Sequence, residues 1–158
     1  MKFLRKNDKN CYTLCSIQAR VFQRSSEKNC PSYYFVQAFM MSNDAKEMDN
    51  LSYLYGNSSE IQVFISTMQK VPANKRAAIY DSSEMHWFGF FYRAACYLTG
   101  IKSKEIFKKV SLKYLHTVYP AYHGLDIVKA VERVFEDLEI KESTPEDIFK
   151  SLFVQRIL

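Results

Sequence analysis

The chain has 158 residues, the size of one ordinary domain, and its 47% hydrophobic and 15% aromatic content excludes a disordered chain. A net charge of +5 is compatible with nucleic acid or an acidic protein partner but requires neither, because the charges are spread along the sequence. Four Gly and four Pro leave little material for tight hairpins, which argues for helices over a hairpin-rich β fold.

Residues 1–10 are charged, and the first predicted helix follows them. From Cys11 to Arg24 the apolar positions Cys11, Leu14, Cys15, Ile17, Val21 and Phe22 recur at helical spacing. After a loop at Ser25–Asn29, Pro31 suits the first turn of a second helix carrying Tyr34, Phe35, Val36, Phe39 and Met40. Ser42-Asn43-Asp44 ends it, and Asp44 is the expected cap of a short third helix with Ala45, Met48 and Leu51 on one side. Ser59 with Gln62 has the form of a capping box, so Ser59–Lys70 is a predicted fourth helix. Its expected core stripe is Ile61, Phe64, Ile65 and Met68. Ala77–Tyr80 reads equally as a helical turn or a short extended piece.

Ser82 or Ser83 starts a fifth helix, and Gly100 sits where a left-handed C-terminal cap belongs. Between them, residues 85–98 leave almost no polar face. A helix apolar all round should be buried all round, so Ser83–Thr99 is expected to form the axis of a bundle, with Trp87 in its core. Ser103 is the expected cap of a short helix with Ile106, Phe107 and Val110 inward. Ser111–Val118 is a further short segment closed by Pro120. His123-Gly124-Leu125 reads as a bend, and Asp126 as the N-cap of a helix burying Ile127, Val128, Val131, Val134, Phe135 and Leu138. Ser143–Asp147 carries a start signal for a last helix bearing Ile148, Phe149, Leu152, Phe153 and Ile157. With no repeat or linker in sight, the expected architecture is all-α, one helical bundle spanning residues 1–158.

Cys11, Cys15, Cys30 and Cys96 form no CxxC pair and no disulfide framework. No apolar run approaches the length of a membrane span, and the basic start lacks the apolar stretch of a secretory leader. The expectation is reduced thiols, a cytoplasmic location and no membrane partner.

Chemistry has few places to sit. On the fifth helix His86, Phe90, Arg93 and Tyr97 fall on one face. Arg93 is costly to bury unless it meets a carboxylate or several carbonyls, and Asp126, Glu84 and Asp81 are the candidates along the chain. It is read either as an anion-binding group or, more strongly, as a structural tie. In Tyr119-Pro120-Ala121-Tyr122-His123-Gly124-Leu125-Asp126, His123 has the makings of a general base oriented by Asp126. The stronger reading is that both residues cap and seal the bend. Cys11, Cys15, His86 and His123 do not make a spaced metal set. No phosphate loop, nucleophile elbow or dinucleotide fingerprint occurs, so no cofactor, metal or catalytic residue is assigned.

Charge is patterned more tellingly. Lys102, Lys104, Lys108, Lys109 and Lys113 stand against Glu105 alone, a patch read as a solvated face or, less strongly, as a phosphate-contacting surface. Between Glu132 and Asp147 seven acids face two basic residues. Opposite-sign patches in a small domain favour contact with a partner protein, or self-association, over nucleic acid.

Three segments, Phe35–Ser42, Met85–Arg93 and Tyr119–Asp126, together resemble an uncharacterised family of small bacterial cytosolic proteins. That family pairs an FMxS segment with a WxGxxYR helix, an SKEIY turn and a Y-x-x-[FY]-H-x-[LM]-D loop. Ser103-Lys104-Glu105-Ile106-Phe107 supplies the turn here, with Phe in place of Tyr. The resemblance implies membership of compact gene clusters of the toxin–antitoxin or phage-defence kind, and it singles out Trp87, Gly89, Arg93, His123 and Asp126. Trp87 and Gly89 enter as structural residues. Arg93, Tyr119, Tyr122, His123, Asp126 and His86 enter as candidate ligand-binding residues.

Three functions remain in view. The first is an antitoxin-like or regulatory module that binds a partner protein. The second is a small enzyme or anion-binding protein using Arg93 and His123, and the third a nucleic-acid binder working through Lys102–Lys113.

Overall fold

The computed structural model describes residues 8–140, and the predicted helix beyond Ser143 lies outside them. Two helices, α1 (Asp8–Glu27) and α5 (Ser82–Thr99), lie against each other over most of their lengths, and the other elements are assembled on that pair. Between them in sequence come α2 (Ser32–Met40), α3 (Asn43–Asp49), a short 3₁₀ turn (Ser52–Tyr55) and α4 (Glu60–Lys70). After α5 follow α6 (Ser103–Lys109), α7 (Leu112–Tyr122) and α8 (Ile127–Asp137), all three packed on α5. The described residues form an all-α bundle with α5 at its centre.

The α1–α5 contact is close because Gly89 has no side chain. A Cβ there would stand 2.7 Å from the Gln18 carbonyl oxygen and 2.8 Å from the Ala19 Cα. Both neighbours are backbone atoms, which cannot swing aside. Burial along α5 is uneven: residues 91–99 are buried on every side, whereas His86 is exposed and Trp87 and Phe90 are half-buried. The expectation of all-round burial therefore holds for the second half of the helix only. Trp87 rests on the flank, edge-on to Tyr119 at 5.7 Å, and not in the middle of the core.

Helix ends follow local chemistry. Ser59 and Gln62 complete the capping box of α4, Gly100 closes α5 with φ 75°, and Asp126 Oδ1 accepts from the Val128 N–H at the start of α8. Three predicted details are corrected. Ser42, not Asp44, caps α3, its Oγ accepting from Ala45 N–H at 3.2 Å. Lys102 holds the N-cap position of α6, and Ser103 lies inside the helix with its hydroxyl committed elsewhere. Pro120 does not end α7, which runs on to Tyr122 with the proline ring on its exposed side.

The core stripe of α4 is also rotated from its expected place. Val63, Phe64 and Thr67 are buried, while Ile61 and Ile65 are 46% and 49% exposed. Thr67 joins the buried face because its hydroxyl is satisfied within the helix, by the Val63 carbonyl at 2.8 Å. The connector Ala77–Tyr80 is neither helix nor strand. Its Ala78 carbonyl accepts from Ser32 N–H, Tyr80 N–H donates to Ser32 Oγ, and the Tyr80 carbonyl accepts from Ser26 Oγ.

Gly89→Ala should lower stability by about 1–3 kcal/mol, the usual range for overpacking against a rigid neighbour. Guanidinium unfolding measures it, and an unchanged midpoint would mean that α1 and α5 have room to spare.

Candidate functional site

Arg93 sits in the fully buried half of α5 with no exposed surface. An ionised guanidinium is stable there only if its nitrogens find partners, and all three do. Nε donates to Gln18 Oε1 at 2.7 Å and Nη1 to Asp49 Oδ1 at 2.6 Å. Nη2 donates to Ser103 Oγ at 2.8 Å and to the Ala45 carbonyl at 3.5 Å. The Tyr97 ring lies 5.6 Å from the guanidinium carbon, in cation–π range. Burial works against the charge, but the surrounding thiol, phenol and carboxylate groups outweigh it and hold the Arg93 pKa above its ordinary value.

The carboxylate that balances Arg93 is Asp49, from the end of α3. None of the three expected acids, Asp126, Glu84 and Asp81, supplies it. Asp49 also accepts from Ser103 Oγ at 2.6 Å and from Ser103 N–H at 3.0 Å, so one carboxylate joins α3, α5 and the first turn of α6. Gln18 extends the network the other way, its Nε2 donating to Met40 Sδ at 3.8 Å. The nearby thiols are quiet: burial pushes Cys96 up to about 11 and Cys15 up to about 12.

These ties end at a cleft. A cavity of about 500 Å³ opens between the α2–α3 corner and the start of α6, lined by Met40, Met41, Ser42, Lys46, Asp49 and Lys102, among others. A smaller crevice of about 150 Å³ adjoins it, sharing Asp49 and Lys102 and reaching Cys96. Asn43, Asn50 and Lys104 complete the main cleft. Its charge is easily counted. Asp49 is neutralised from behind by Arg93, and Lys46, Lys102 and Lys104 are exposed and form no ion pair among the described residues. The cleft is therefore basic, with Met41 exposed in its lining and Met40 almost wholly buried behind it.

The other candidate residues lie apart from it. The hydrogen bonds of Arg93 run to α1, α3 and α6, and the segment 119–126, the end of α7 and the turn after it, contributes none. Tyr119 packs on Trp87 and stacks on His123 at 4.4 Å, and the exposed His123 ring sits 2.6 Å through Nδ1 from the Tyr119 carbonyl oxygen. Tyr122 and Tyr114 both donate to Asp137 Oδ2, at 2.5 and 2.7 Å, tying α7 to α8. Those two bonds hold the Asp137 carboxyl below its usual range. His86 is lowered by partial burial and by the nearby Arg20 charge. Among the described residues no group of three His, Cys, Asp or Glu is placed to hold a metal ion, and no helix is long and apolar enough to cross a membrane.

Sequence reasoning passed over Asp49, Gln18 and Lys46, because nothing in their spacing links them to Arg93. It also passed over a surface pair, His116 Nδ1 and Glu84 Oε2 at 2.8 Å, with Tyr80 stacked on the imidazole at 4.1 Å. Three of the four segments quoted for the family resemblance converge on the cleft. Met40, Met41 and Ser42 line it, Arg93 stands behind it, and Ser103 and Lys104 border it. The chain matches no family model, no curated protein and no solved structure.

Asp49→Ala should destabilise the protein by about 3–5 kcal/mol, because it strands a buried guanidinium without its counter-charge. Urea unfolding measures this, and a loss below about 1 kcal/mol, typical of an exposed pair, would show that water compensates Arg93.

Proposed function

We propose that the chain is a cytoplasmic interaction module that binds a partner protein at the cleft between α2–α3 and α6. The observation that carries this reading is the pairing of an open, basic cleft, with Met41 exposed in its lining, with a deeper Arg93 network bonded through all three guanidinium nitrogens. A fully buried guanidinium bonded through all three nitrogens holds structure. An open cleft with unpaired lysines has surface left to offer. Methionine side chains adapt their shape to what they meet, a property used at binding surfaces that accept flexible partners. A regulatory or antitoxin-like role fits such a surface, since steering by charge gives fast association without any covalent step.

A photo-crosslinking residue placed at Met41, which is 40% exposed, tests the proposal in cells. The expected result is a discrete protein adduct, lost when Lys46, Lys102 and Lys104 are changed to Glu and absent when the crosslinker is moved to Lys129 on α8. An adduct at Lys129 alone, or none at either position, would overturn it.

A further inference from the structure

We infer that the cleft selects an acidic peptide segment in which carboxylates flank a flexible apolar side chain; this rests on the cleft being the partner-binding site. The first argument is the charge. Lys46 comes from α3 and Lys102 and Lys104 from the start of α6, so cations stand on both rims, while the one carboxylate in the lining is neutralised by Arg93 at 2.6 Å. An occupant carrying negative charge at two separated points satisfies both rims. The second is the wall. Met41, 40% exposed, offers apolar, deformable surface in the same lining, with Met40 almost wholly buried behind it, which suits one apolar side chain and leaves a pure polyanion with little to bury.

The third argument separates a peptide from phosphate ligands. Among its lining residues the cleft has no arginine, the side chain whose planar fork grips phosphate oxygens in pairs, and no aromatic ring on which a nucleobase would stack. Lysines read charge without demanding that geometry. Asn50 adds a donor of the right kind. Its Oδ1 is used by Ser52 N–H at 2.9 Å, and its Nδ2 donates to nothing among the described residues. A side-chain amide next to an apolar wall is suited to a peptide carbonyl. The volume, about 500 Å³, holds a few side chains and not a folded domain, so the recognised element is a short segment of the partner.

Fluorescence anisotropy with the purified protein tests this, using a labelled peptide of sequence Asp-Glu-Leu-Leu-Glu-Asp. Saturable binding is expected, weakened about tenfold when Lys46, Lys102 and Lys104 are all changed to Glu, since exposed ion pairs contribute modestly each. Raised salt should weaken it as well. Because the three side chains are exposed, the variant should keep the parent's thermal midpoint, which separates lost binding from lost folding. A Lys-Lys-Leu-Leu-Lys-Lys peptide should not bind. Equal binding by the variant, equal binding by poly-aspartate, or tighter binding by oligothymidylate or inorganic phosphate would each overturn the inference. If the Met41 crosslink to a partner survives while the acidic peptide fails, the acidic specificity is wrong and the binding site stands. If both fail, the site itself is wrong.

Discussion

A positive charge with no exposed surface has to be balanced inside the protein, and Arg93 is balanced by bonds to three different elements. Gln18 reaches it from α1, Asp49 from α3 and Ser103 from α6. Losing any one of these would leave a donor or an acceptor stranded in a place where an unpaired polar group costs about 1–3 kcal/mol. The four helices are thus held in one relative arrangement by directional bonds, while the surrounding apolar contacts supply most of the driving force without fixing orientation. Gly89 serves the same end one turn earlier. By letting α1 approach α5, it brings Gln18 within reach of Arg93.

The cleft follows from that arrangement. Each of its walls is one bond from the Arg93 network: Asp49 directly, Met40 through Gln18, and the first turn of α6 through Ser103. A surface built in this way is preorganised, so a partner that fills it loses little binding energy to reshaping it. The buried pair has a second effect. With Arg93 behind it, Asp49 no longer cancels a lysine, and the cleft keeps the charge of all three.

Much of the fold is legible in the residues. Capping signals at Ser59, Gly100 and Asp126 act locally, so the spacing that announces them is the spacing that works. Helical periodicity places α1, α5 and α8 for the same reason. What fails is whatever depends on a distant partner. The face of α4 is set by the helices it leans on, which bury Thr67 and leave Ile61 and Ile65 half-exposed, against the hydrophobic ranking. Asp49 is 44 residues from Arg93, and no local pattern couples them. The cleft shares this cause, because its lysines come from two separate segments and only Lys102 and Lys104 stand in the basic run visible in the sequence. Within the segment 119–126, the local prediction that Asp126 caps α8 is met, while the spatial question of whether His123 approaches Arg93 lay beyond any spacing rule.

A double-mutant cycle between Arg93 and Asp49 tests the organising role of this pair most directly. Stabilities of Arg93→Met, Asp49→Leu and the double variant, measured by urea unfolding, give the coupling between the two side chains. If the pair organises the helices as described, the double variant should lose far less than the sum of the single losses, with a coupling of about 2–3 kcal/mol. Additive losses, with coupling below about 0.5 kcal/mol, would contradict it.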